Sequence, residues 1–126
     1  MKTVFKTAIP YANDALNLPV KDLASAIPYY EQTFGFRVES RSASPHAVAI
    51  LARDGTRIGL AENDGDPTQE GCFFEVDNVE TAYSEINGKP AEPGALKTLE
   101  AHGRRHRAFF IIAPDGLCYL VAQPTE

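Results

Sequence analysis

The chain repeats itself. Displaced by 56 residues, Leu18, Val20, Leu23, Ser25 and Ala26 fall on Phe74, Val76, Val79, Thr81 and Ala82, and Asp22 falls on Asn78. Displaced by 61, Asp54-Gly55 falls on Asp115-Gly116, and the segment 57–61 falls on 118–122. A tandem repeat within 126 residues narrows the fold more than any single motif. A chain of this length buries well over half of its unfolded surface as one compact domain but is too short for two independent ones. The two modules, about residues 13–62 and 70–124, are therefore expected to share one domain spanning 1–126.

Each module opens as a strand running into a helix. Leu16, Leu18 and Val20 alternate with Asn17 and Pro19, which is the period of a strand with one buried face. Asp22 can then cap a helix whose Leu23, Ala26, Ile27, Tyr30 and Phe34 fall on one side, and Gly35 can end it. Pro28 removes a backbone donor inside that helix and is expected to bend it or delay its start. In the second module Asn78 is the cap, the helix covers 78–86, and Asn87-Gly88 is the stop. Strands are expected at 36–42, 46–52 and 56–61, the last two joined at Asp54-Gly55, a strong hairpin signal. After a polar linker at 62–69, further strands are expected at 71–76, 96–99, 104–112 and 117–123, with Pro114-Asp115-Gly116 turning the last pair.

The formal charge of -5 argues against a nucleic-acid partner and favours neutral or cationic ligands. No run approaches the ~20 apolar residues of a membrane helix, so no membrane partner is expected. MKTVFKTAIPY lacks an apolar stretch of signal-peptide length and reads as a short arm or edge element of a cytoplasmic protein. Cys72 and Cys118 give no disulfide framework and read as reduced, packed thiols.

Two βαβββ modules, the V-K-D-L run at 20–23 and the A-P-D-G turn at 113–116 resemble the vicinal oxygen chelate superfamily, which includes glyoxalase I, extradiol dioxygenases and the fosfomycin- and bleomycin-resistance proteins. The resemblance implies an α+β fold in which the tandem modules form a partly open, barrel-like sheet around a cavity, helices outside, often completed as a homodimer. It also implies where a metal would sit in the enzymatic members, on His, Gln or Glu of the first and last strands. Here those positions hold Ala15, Gly71, Gly59 and Leu120, none of them a donor, so neither a metal nor another cofactor is expected.

Strand parity assigns Leu16, Leu18, Ile58, Leu60, Phe74 and Val76 to the helix-covered side, leaving Ala15, Asn17, Arg57, Phe73, Glu75, Cys118 and Leu120 facing the cavity. Of these, Asn17, Arg57, Phe73, Glu75, Cys118 and Leu120 are the expected ligand-binding residues, with no catalytic residue assigned. Glu75 would be a carboxylate inside a cavity, to be paired, hydrated or protonated, or else it stands in water or pairs with Arg57. Phe73 offers a flat guest a stacking surface, while Tyr29, Tyr30, Phe34 and Phe109 read mainly as core. His102 and His106, four apart on a strand rather than a helix, read as part of a solvated basic turn with Arg104, Arg105 and Arg107 rather than as metal ligands.

The leading expectation is a metal-free protein that binds a small organic ligand, planar or cationic, in the manner of resistance proteins that sequester a drug. One alternative is an enzyme, either glyoxalase- or dioxygenase-like with displaced metal ligands such as His46, Glu62 or Glu75, or independent of metal. Another is a structural or regulatory module whose cavity has closed.

Overall fold

The structure is a computed structural model that describes residues 3–10, 14–43 and 46–125. Its elements in chain order are β1 (Phe5–Pro10), β2 (Leu18–Pro19), α1 (Leu23–Thr33), β3 (Arg37–Ser42), β4 (Val48–Arg53), β5 (Thr56–Ala61), β6 (Gly71–Val76), α2 (Val79–Asn87), β7 (Lys97–Ala101), β8 (Arg104–Ile112) and β9 (Cys118–Pro124), with one 3-10 turn at Pro67–Gln69. Among the described residues the strands form two sheets, ordered β2-β5-β4-β3 and β1-β6-β9-β8-β7, that do not close into a barrel.

The repeat read from the sequence is a repeat in space. In both modules the first strand lies parallel to the last, and the remaining pairings are antiparallel. Leu18 pairs with Leu60 as Phe74 pairs with Val121, and these are the partners that displacements of 56 and 61 residues relate. Both helix starts are capped as expected: Asp22 accepts from the Ala24 amide and Asn78 from the Thr81 amide. Glu62 adds a carboxylate to the first helix by accepting from the Leu23 amide at 2.9 Å. Pro28 neither delays nor interrupts α1; it lies on the exposed face of the helix, where the carbonyl left without an amide donor can turn to water.

The first module departs from expectation at its opening strand. Residues 15–17 form a turn, β2 is only two residues long, and Leu16 is 46% exposed rather than packed under the helix. A hydrogen bond from the Asn17 amide to the Asp14 carbonyl, with the Asp14 side chain accepting from the Leu16 amide, bends the backbone and breaks the parity on which Leu16 was assigned.

One core serves both modules. Leu18, Tyr30, Phe34, Leu51 and Ile58 from the first pack with Phe74, Val79, Tyr119 and Val121 from the second. The N-terminal arm is part of it: β1 pairs antiparallel with β6 and also runs beside β5, placing Phe5 against Phe36 and Phe74. Arg53, at the end of β4, fixes this junction. Its guanidinium donates to the Phe34 carbonyl at 2.7 Å, the Thr3 carbonyl at 2.7 Å and both carboxylate oxygens of Glu85 in α2, and it stands over the Phe5 ring.

Candidate functional site

The helices cover one face of the five-stranded sheet, and the opposite face carries a small separate cluster. Phe73, Ala108, Leu120 and Ala122 form it, with Ile9, Leu99 and Ala101 packed at its margin. Cross-strand register shows why these residues meet: Phe73 stands opposite both Ile9 and Leu120, Phe110 opposite Leu120, Ala108 opposite Ala122, and Ile112 opposite Cys118. Phe110 and Ile112 are 62% and 69% exposed on this face, an uncovered apolar stripe.

Of the six residues expected to bind a ligand, the structure brings four together here. Phe73 and Leu120 are neighbours, Glu75 lies half-buried opposite Thr7 and Ala122, and Cys118 lies half-buried opposite Gly71 and Ile112. The other two lie with the four-stranded sheet. Arg57 is exposed and bonded to Glu39 at 2.7 Å, a contact that lowers the Glu39 carboxyl below its ordinary range; Glu75 is therefore not its partner. Asn17 is exposed and accepts from the Asn63 amide group through its carbonyl and its side chain.

Two residues read as a basic turn belong to this face instead. His102 and His106 both stand edge-on to the Phe73 ring, with centroids 4.7 and 5.1 Å away. Their spacing in the sequence gave no sign of it, because the contact depends on His102 taking a left-handed backbone (φ 53°) at the β7–β8 turn. His106 is buried and its Nδ1 lies 3.1 Å from the Arg104 carbonyl.

The residues at the metal positions do not fit a metal. Beyond lacking donors, two of the four positions have no room for one: a Cβ at Gly59 would run into the Leu16 carbonyl, and a Cβ at Gly71 into the Cys118 carbonyl. Among the described residues, no three His, Cys, Asp or Glu side chains come together in a group that could hold a metal ion. Glu62, one candidate for a displaced ligand, is engaged in capping α1.

Among the described residues no helix is long and apolar enough to cross a membrane. The sequence model of the Glyoxalase/Bleomycin resistance protein/Dioxygenase superfamily matches residues 12–118. Similar solved structures include a protein from the mobile metagenome of V. pseudocholerae (TM-score 0.68, 16% identity, covering 90% of this chain and 95% of that one). A bleomycin resistance determinant encoded on the transposon Tn5 is also similar (TM-score 0.60, 22% identity, covering 87% and 95%). So is glyoxalase I from Zea mays (TM-score 0.55, 16% identity), where the match covers 85% of this chain but 44% of the maize chain. No curated protein matches the sequence. At these identities the structural likeness speaks for the fold.

Proposed function

The chain belongs to the Glyoxalase/Bleomycin resistance protein/Dioxygenase superfamily, and from that premise we propose that it binds a small organic molecule without a metal, as a cytoplasmic, sequestering, resistance-type homodimer. The ligand lies against the uncovered sheet face, where Phe73 and Leu120 offer apolar contact, Glu75 a carboxylate and Cys118 a thiol; Asn17 and Arg57 contribute from the other module. The observation that carries this reading is the pair of backbone approaches at Gly59 and Gly71, which leave no space for ligating side chains on strands that hold them in metal-binding relatives. An organic guest needs no donor there. The exposed Phe110 and Ile112 support the homodimer, since an apolar stripe on an open sheet is stabilised by a cover.

Native mass spectrometry of the purified protein, followed by thermal unfolding with bleomycin and with ethidium as a flat cation, tests the proposal. The expected result is a metal-free dimer whose Tm rises with one of these ligands, a ligand at 100 times its Kd adding about 2.7 kcal/mol. Glu75→Ala should weaken the cation, and Phe73→Ala should weaken flat ligands of any charge. One tightly held metal per chain, whose removal abolishes a catalytic turnover, would overturn it.

A further inference from the structure

A cleft of about 590 Å³ lies away from the sheet face just described, and none of the six residues proposed above lines it. Three segments make its walls: the start of α1 (Asp22, Ser25, Ala26, Tyr29), the inter-module linker from Asp64 to Thr68, and the Pro114-Asp115 turn that precedes β9. The volume is that of a small-molecule site. Among the described residues the walls combine apolar surface from Ala26, Tyr29, Pro67 and Pro114 with four carboxylates, Asp22, Asp64, Asp66 and Asp115, against one cation, Lys21.

The charges do not cancel within the cleft. Lys21 acts on Asp66, whose carboxyl is held below its ordinary range first by bonds from the Thr68 hydroxyl and amide and then by that cation. Asp22 answers the amide of Ala24 and the hydroxyl of Ser25, so the open end of α1 is satisfied by the chain itself and offers little to an anion. Asp115 is the deepest of the four. It accepts one bond at each oxygen, from the Leu117 amide at 2.9 Å and the Tyr30 hydroxyl at 3.1 Å, and each oxygen keeps a second lone pair for another donor. Burial nevertheless outweighs those two bonds and raises its carboxyl, so its charge is under-compensated. Tyr29, half-buried, lines the same cleft, and its phenol is raised first by burial and then by the Asp115 charge. An aromatic ring and a carboxylate lining one cleft suit an ammonium group carried on an apolar body. A bare metal ion fits less well, because no three of the described carboxylates stand close enough together to share one.

We propose that this cleft is a second binding site, for an organic ammonium ion whose charged head meets Asp115 and whose apolar body lies against Tyr29, Pro67 and Pro114.

Amide NMR titrations with benzylammonium, benzyl alcohol and benzoate test it. Benzylammonium should shift the Ser25, Thr68 and Leu117 amides together and saturably, and benzyl alcohol of the same shape should bind at least about tenfold more weakly. Benzoate should leave those amides unmoved. Tyr29→Leu should weaken benzylammonium about fivefold, and Asp64→Asn, at an exposed carboxylate, about twofold; a well-dispersed spectrum shows that each variant is folded. Phe73→Leu and Glu75→Gln should leave the titration unchanged, so the failure of one site is read separately from the failure of the other. Equal binding of benzylammonium and benzyl alcohol, no saturable shift at these amides, or loss of the shifts in Phe73→Leu would overturn the proposal.

Discussion

Asp54-Gly55 and Asp115-Gly116 hold equivalent places before the closing strands of the two modules, and their carboxylates serve different partners. Asp54 itself takes the left-handed backbone (φ 55°), is exposed, accepts from the Phe5 amide at 2.8 Å and stands 3.6 Å from Arg53. In the second turn the left-handed residue is Gly116 (φ 100°), and the half-buried Asp115 accepts from the Tyr30 hydroxyl, which is itself 2.6 Å from the Tyr119 hydroxyl. One turn thus fastens the N-terminal arm, and the other connects a buried tyrosine pair to the edge of a cleft. A repeat preserves the bend of the chain because the bend is local. What the side chains do there depends on which element lies across from them, and the repeat does not copy that.

The largest expected effect lies beside the first turn. Arg53→Met should cost about 3–5 kcal/mol, because it takes the guanidinium away from Glu85, which keeps only the Thr3 amide among the described residues, and from two buried carbonyls. Urea unfolding measures it, and a loss below about 1 kcal/mol would mean that the arm is held by other contacts. Next comes the contrast between the glycines. Gly116→Ala should cost about 1 kcal/mol or more, since a side chain at φ 100° is strained even though its contact with Pro67 is an ordinary one. Gly55→Ala, where a Cβ would meet nothing within 4 Å, should stay within about 0.5 kcal/mol. Equal costs would break the comparison. The smallest effect is in pH dependence. Asp115 has a folded pKa raised by burial, so its ionised form opposes folding at neutral pH, and that penalty disappears as pH falls through the raised value toward the ordinary 3.8. Wild type should therefore gain stability on acidification relative to Asp115→Asn, a difference readable from unfolding curves recorded at several pH values.

The strand and helix plan was legible because it rests on local signals: caps at Asp22 and Asn78, the two Asp-Gly turns, and a hydrophobic period that switches between two and 3.6. Leu16 was misassigned because an Asp14 turn outweighed alternation over three residues. The share of the site that could be read was set by parity, which placed Phe73 and Leu120 on one face but could not foresee that Arg57 would bond to Glu39. The His102 and His106 contacts with Phe73, the hub at Arg53 and the Asp115 cleft were not legible. Each joins residues far apart in sequence through side-chain reach, which periodicity does not encode.

The antiparallel pairing of β1 with β6 carries a consequence for how the chain is made. Phe5 precedes the first module in the chain, yet its strand partner Val76 and its ring neighbour Phe74 follow only after that whole module has been synthesised. The nascent arm must wait in an unpaired state, and closing that long loop is an entropic cost met late. A chain released after synthesis only as far as the linker would therefore hold a first module with its own four strands present and the arm's edge open. Such a species is prone to pairing with a neighbouring chain instead of its own.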